Sequence, residues 1–383
     1  MPIQSEVSPH AARMQAQLDK LFGITHDLAW GRTASGVHRA VQGAALPDDV
    51  EPFPSLRSAY QIYTGDMNFQ DVGGICRALQ NFNTPTFGPA LANTLNKLLI
   101  LPDYRTDYRW RDIVTSITSA RDFRPQTRVR VDYVSDIPDV SEDEPITEIP
   151  VSGAESVSYT INSKEALMTV TRRAIVNDDV DAIKRTVEQI RRAAWRTLAK
   201  RVWNKVINND VYGVDGLAMF HANHGNLGAD ALSTVSLSAA RKAIFEQTEP
   251  GGSEKLGLSG PFLLVLPIDL EDTAWPINNL QLVPGTLTFA GNPWYHRFGR
   301  DSERIFTNPL LTDTNDWYLF DISGNAGIIE VGCLNGEENP VIVLDDLPLD
   351  SPMLYQDRAI FKVRHEYEAS ISDFRGAYKA VVV

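Results

Sequence analysis

The stretch from Asp122 to about Asn208 constrains the fold most, because it sets three elements in an order that compact enzymes rarely use. Thr127-Arg128-Val129-Arg130-Val131-Asp132-Tyr133 alternates strictly, the two-residue period of a strand with one apolar face. An acidic, proline-marked segment follows from Asp136 to Pro150, and a second alternating run, Val157-Ser158-Tyr159-Thr160-Ile161, then returns. From about Asp178 to Ile207 the period changes to that of one long amphipathic helix. With limbs of about ten residues, the arm would reach on the order of 30–35 Å. A two-stranded arm ahead of a long helix suits a subunit that reaches across to its neighbours. It suits a self-contained catalyst poorly.

Charge is distributed unevenly along these elements. The tip of the arm carries Asp136, Asp139, Glu142, Asp143, Glu144 and Glu148 with no base among them, while the first limb carries Arg124, Arg128 and Arg130. That polarity lets the tip of one arm settle on a basic surface of another subunit; the plainer reading is a solvated acidic loop. Asn177-Asp178-Asp179 offers capping oxygens and carboxylates to the positive end of the helix dipole. Val180, Ile183, Val187, Ile190, Ala194, Leu198 and Val202 form a narrow apolar seam along a helix roughly 45 Å long. Its other faces hold Lys184, Arg185, Arg191, Arg192, Arg196, Lys200, Arg201 and Lys205, too many bases for Asp181 and Glu188 to neutralise. Contact with acidic neighbouring subunits or with enclosed DNA stands beside simple solvation. The residues expected to make inter-subunit contacts are Arg128, Arg130, Glu142, Asp143, Glu144, Arg191, Arg192 and Arg196.

Composition narrows the partners. A chain of 383 residues can hold two or three modules with real cores. Its net charge of −13 argues against a free-standing nucleic-acid binder and against an anionic membrane as partner. Cys76 and Cys333 lie far apart in no metal-ligand spacing and fit buried thiols of a protein made in a reducing cytoplasm. Met1 to Lys20 lacks the apolar core of a signal peptide, and no run approaches the ~18 apolar residues of a membrane span.

Elsewhere the periodicity predicts helices over Ala11 to Phe22, Val37 to Leu46, Pro89 to Leu101 and Ser238 to Gln247. Strands are expected at Phe262 to Leu266, Trp317 to Phe320, Val341 to Leu344 and Ile360 to Tyr367, with Arg375 to Tyr378 and Val381 to Val383 adding one more. Trp110 to Ala120 reads equally as strand or helix. Residues 1–85 show little periodicity but many aromatics, which favours an arm folding against partner subunits over a solvated tail.

Little in the chain commits to chemistry. His221-Ala222-Asn223-His224 could place two imidazoles on one ion if helical, but Gly225-Asn226 says turn and no third ligand lies at useful spacing. Polar side chains holding a loop explain it more simply. There is no Walker pattern, no GxGxxG after a strand and no GxSxG elbow. Asp345-Asp346 and Asp178-Asp179 are explained by capping and solvation, and His365 by a satisfied core or interface position. No catalytic residue, cofactor or metal is assigned.

The order of parts resembles the major capsid protein of tailed phages, the Hong Kong 97-type fold, and within it the Mu-like major head subunit group. The residues that carry the resemblance are Thr171-Arg172-Arg173-Ala174-Ile175-Val176-Asn177-Asp178-Asp179 and Met219-Phe220-His221-Ala222-Asn223-His224-Gly225-Asn226-Leu227. Asp316 to Phe320, Ile329-Glu330-Val331-Gly332, Lys362 to Tyr367 and Asp373-Phe374-Arg375-Gly376 follow in order. The resemblance implies an α+β chain with an N-terminal arm at 1–88 and a peripheral domain beginning at 89–121. An extended loop spans 122–169, the peripheral domain with its spine helix 170–211, an axial domain 212–344, and a returning peripheral strand 345–383.

It also implies hexamers and pentamers closing into an icosahedral shell around packaged double-stranded DNA, held by non-specific contact. The virion would be the location, the host cytoplasm the place of synthesis, and portal, scaffold, protease and decoration proteins the partners. No membrane is involved. The loop has no lysine between Arg121 and Ser163, so no isopeptide bond is expected from it. The alternatives are a nanocompartment shell of the encapsulin kind, a tail-tube or other virion protein, and a metal-dependent hydrolase using His221 and His224.

Overall fold

The computed structural model describes residues 9–32, 38–65, 87–100, 108–131, 154–252, 254–283, 291–344 and 358–382, with single positions at 67 and 139. The chain is α+β and divides into two compact units. One comprises Met1–Thr106, Asn162–Thr197 and Cys333–Tyr367; the other comprises Asp107–Ile161, Leu198–Gly332 and Glu368–Val383. These units cut the chain differently from the boundaries expected from sequence. No helix among the described residues is long and apolar enough to cross a membrane.

The first unit is built on helix packing against a sheet. Helix α1 (Pro9–Leu21) buries Met14, Leu18 and, just beyond its end, Phe22. They share a core with Leu56, Ala59 and Tyr60 of α2 (Leu56–Thr64) and Leu91, Leu95 and Leu99 of α3 (Phe87–Ile100). The described parts of the leading segment therefore lie inside a core of their own chain. A buried ion pair fixes α1 to α3: Lys97 Nζ donates to Asp19 at 2.6 Å, and Gln15 and Thr94 donate to the same carboxylate at 2.9 and 2.7 Å. Burial pulls the Lys97 pKa down, but Asp19 and Asp27 outweigh it and hold the value above the ordinary one.

The described part of Val37 to Leu46, from His38 on, is not helical. Instead β1 (His26–Arg32) pairs antiparallel with β2 (His38–Ala45), Trp30 opposite Ala40, and Leu46 N–H donates to Thr25 O at 2.9 Å. The ladder with the preceding strand outweighs the weak helical preference of this short alanine-containing run. The ambiguous run before the arm resolves into a 3₁₀ turn, Trp110–Asp112, and a strand, β3 (Val114–Ala120). The β1–β2 pair is a sheet of its own; β6 (Asn162–Thr171), β12 (Val341–Leu344) and β13 (Arg358–Ile371) pair in another. Strand β13 pairs antiparallel with both, Phe361 lying opposite Met168 and Leu344.

Helix α4 (Arg172–Val176) precedes the long helix α5, which runs Val180–Ile207. Val180, Ile183, Val187, Leu198 and Val202 of the expected seam are buried, as are Trp195, Ala199, Trp203 and Val206. Asp178 takes positive φ (60°) and accepts from Leu56 N–H at 2.5 Å. Its carboxylate therefore caps the start of α2, not of α5.

The second unit centres on a five-stranded mixed sheet in the order β7 (Leu227–Gly228), β14 (Ala377–Ala380), β10 (Trp317–Asp321), β8 (Phe262–Leu266) and β9 (Ile305–Thr307). Strands β8 and β10 are buried at every position, so they read as continuous apolar runs covered on both faces. Helix α6 (Thr234–Phe245), opened by a Ser233/Ser236 capping box, packs Leu237, Ala240 and Ile244 into this core. A short helix α7 (Glu271–Asn279) follows β8.

Candidate functional site at the root of the hairpin

Strand β4 (Gln126–Val131) pairs antiparallel with β5 (Ala154–Tyr159), so the described part of the arm is a two-stranded ribbon. Arg128 lies opposite Val157 and Arg130 opposite Glu155, which puts both arginines, Glu155, Val157 and Tyr159 on one face. That face is turned inward: Val157 and Tyr159 are buried, and Arg128, Arg130 and Glu155 are half-buried. Thr127, Val129, Ser156 and Ser158 are exposed, Val129 by 63%. On β4 the face expected to be buried as apolar is thus the outer one, whereas on β5 the apolar Val157 and Tyr159 are buried as the alternation predicts. The sequence rule failed on β4 because the inward charges have partners, and paired charges can be buried where lone ones cannot.

The partners come from two distant stretches. Strand β11 (Ile329–Leu334) presents Glu330, whose Oε1 accepts from Arg128 Nε at 2.6 Å, Tyr159 Oη at 2.7 Å and Thr118 Oγ1 at 2.7 Å. The turn between β13 and β14 presents Asp373, which is fully buried and binds Arg130 on one oxygen and Arg375 Nη1 at 3.0 Å on the other. Arg375 forks onto Glu155 of β5 at 2.7 and 3.1 Å, and Tyr212 Oη donates to Glu155 at 3.0 Å. Two residues after Glu330, on the same side of β11, Gly332 lies under Tyr159. A Cβ there would come within 2.5 Å of the tyrosine ring. Glycine is what allows the ribbon to lie this close.

The electrostatics follow from this packing. For Arg375, burial disfavours the charged form, yet Glu155 and Asp373 outweigh it and raise the guanidinium pKa. Arg128 shows the same balance, with Glu330 prevailing over burial. Burial would lift the Glu155 carboxyl, but Arg375 and Tyr212 pull it below the ordinary carboxylate value. Burial also raises the Tyr212 and Tyr159 phenols, so both stay protonated as donors. Beneath the ribbon lies a cavity of ≈ 320 Å³ lined by Thr115, Arg128, Arg130, Glu155, Tyr212 and Glu330 among others.

The remaining expected contact residues are not gathered in this cluster. Arg191 Nη1 donates to Leu98 O at 3.1 Å and serves its own unit. Arg192 and Arg196 are exposed on α5. Glu142, Asp143 and Glu144 lie outside the described residues. None of Glu155, Tyr159, Tyr212, Glu330, Asp373 and Arg375 is among the contact residues expected from sequence, although Glu330, Asp373 and Arg375 lie in stretches that carry the family resemblance. The available signal was a carboxylate inside an apolar strand run, Ile329-Glu330-Val331, which asks for a buried cation.

His221 and His224 do not converge on a common point. His224 lies on a 3₁₀ turn, with Nε2 2.7 Å from Asp215 and Nδ1 3.1 Å from Met219 O, and its ring stacks on Phe374 at 3.8 Å. His221 Nδ1 accepts from Asn223 N–H at 3.1 Å, and the two ring centroids are 6.0 Å apart. Both imidazoles hold the loop, the plainer of the two sequence readings. Among the described residues no group of His, Cys, Asp and Glu is placed to hold a metal ion.

A family model described as phage capsid protein matches residues 154–380. No curated protein matches the chain. Among solved structures, the capsid of a native GTA particle is similar at 11% identity and a TM-score of 0.45, covering 74% of this chain and 93% of that one. Mycobacterium phage Patience is similar at 8% and 0.46, covering 79% and 90%. A virus-like particle from Pyrococcus furiosus is similar at 12% and 0.41, covering 76% and 99%. At such values these likenesses assign no role to any residue. The family match spans the second strand of the ribbon, the long helix, the whole mixed sheet and the Asp373–Arg375 turn, more than half of the chain, and so the chain belongs to the phage capsid protein family.

Proposed function

We propose that this capsid protein is the major head subunit, assembling as hexamers and pentamers into an icosahedral shell of the Hong Kong 97 type around double-stranded phage DNA. The observation that carries the reading is the family match over 154–380, which takes in β5, the long helix and the second unit's sheet. In this reading α5 is the spine of a peripheral domain and 212–344 the axial domain, with 122–169 as the extended loop. Residues 1–88 are the N-terminal arm, and 89–121, 170–211 and 345–383 belong to the peripheral domain.

Arg185, Arg192 and Arg196 are exposed on α5 at spacings of seven and four, so they share one face of the helix. This cationic stripe receives the acidic segment containing Glu142, Asp143 and Glu144 from a neighbouring copy. Arg128, Arg130 and Arg191 instead serve contacts inside the chain. Portal, scaffold, protease and decoration proteins are separate partners, the packaged DNA is held by non-specific contact, and the shell is part of a virion made in the host cytoplasm.

Negative-stain electron microscopy of the expressed protein tests this. Closed, uniform particles support the shell; a chain that stays monomeric at every concentration and salt, or that forms only tubes, overturns it. Arg192→Glu with Arg196→Glu tests the contact itself: the double variant is expected to fold normally and to lose particles.

A further inference from the structure

The arm's root is held by groups that a freely swinging ribbon would not need. Arg128 meets Glu330 at 2.6 Å, Arg130 meets Asp373, and Glu155 meets the Arg375 fork at 2.7 Å, so both strands of the ribbon are tied to the body of the second unit. Side-chain exposure is 8% at Glu330, 0% at Asp373 and 9% at Arg375, so water replaces these contacts poorly if the ribbon lifts. Gly332 adds a purely steric part by admitting the Tyr159 ring. An isolated two-stranded hairpin is at best marginally stable in water, so the order of β4 and β5 needs this support.

We propose that the charge cluster and the Gly332 seat form a lock that sets the direction of the arm on its own subunit before any neighbour arrives. Only the part beyond Val131 and before Ala154 is left to reach another copy. The lock is selective because each tie needs a different geometry. Glu330 gathers three donors at one oxygen, Asp373 divides its two oxygens between Arg130 and Arg375, and Glu155 accepts a fork. A ribbon shifted by one residue would turn all of these outward. The proposal rests on the shell reading for its use, but its test does not.

Hydrogen–deuterium exchange on the unassembled full-length chain reads the lock directly. Peptides covering 126–131 and 154–159 are expected to be protected in the native chain. Glu330→Gln combined with Asp373→Asn is expected to raise their exchange at least tenfold, leaving α6 and β10 unchanged. Should that variant fail to fold, Arg128→Gln with Arg130→Gln removes both arginine ties from the ribbon side and leaves Asp373 and Glu155 with Arg375. Gly332→Val removes the seat without touching a charge. Native peptides exchanging as fast as a free loop, or exchange that no variant changes, would overturn the lock. Particles seen by microscopy beside an unprotected ribbon would sink the lock and spare the shell; protection without particles would do the reverse.

Discussion

Strand β4 of the ribbon and the helix α5 obey opposite rules of exposure. On α5 the apolar seam faces inward and Arg192 and Arg196 face water, as the helical period predicts. On the ribbon the arginines face inward and Val129 faces water. Local pattern reports which side chains differ along an element, but not which side the rest of the chain will cover. On the helix, one continuous hydrophobic seam decides. On the ribbon, short strands offer so little apolar area that a few well-matched ion pairs decide.

The sharpest way to break this comparison is to place a charge in the helix seam. Val187 is fully buried, so Val187→Asp leaves an unpartnered carboxylate there and is expected to cost more than about 4 kcal/mol. Loss of a cooperative thermal transition, or of soluble protein, checks it. At the ribbon root, Arg375→Ala takes the guanidinium fork from Glu155 and leaves the buried Asp373 with Arg130, and is expected to cost about 3–5 kcal/mol by denaturant melts. A cost under about 1 kcal/mol would mean that the root is not held by its charges.

A buried titratable group without a charge partner supplies the next contrast. His365 is buried between Trp195 and Tyr367, with Nε2 2.9 Å from Glu338 O, and burial lowers its pKa from 6.5 to about 4. The folded chain thus favours neutral imidazole while the unfolded chain protonates first. The contribution is complete above pH 6.5 and is lost as pH falls through about 4, on the order of 3 kcal/mol in all. Glu155, held below its ordinary value, adds a loss in the same direction as pH falls below the ordinary carboxylate range. A His365→Phe chain is expected to lose most of the acid sensitivity between these limits. Unchanged acid melting would contradict that. Smallest of all, Val129→Ser on the outer face of the ribbon is expected to change stability by less than about 0.5 kcal/mol.

Much of the secondary structure was legible before the tertiary structure. The α5 seam, the buried run Phe262–Leu266 and the hairpin itself follow from period alone, because each is a long or clean repeat. Val37 to Leu46 was not legible as a strand, since its partner His26–Arg32 supplies the ladder that makes it one. The root cluster was not legible either. Glu155, Glu330 and Asp373 lie far apart in the chain, and no spacing rule joins them. Gly332 looked like an ordinary strand glycine until Tyr159 lay on it.

Sequence by itself determined the order of arm, acidic segment and long helix, and the family resemblance that goes with it, because these depend on local period and composition. Only the tertiary structure decided which face of the arm is covered, and which of the arginines Arg128, Arg130, Arg191, Arg192 and Arg196 remain on the surface. The physical reason is that burying a charge depends on whether a partner stands within hydrogen-bond reach. That distance is set by strands brought together from opposite ends of the chain.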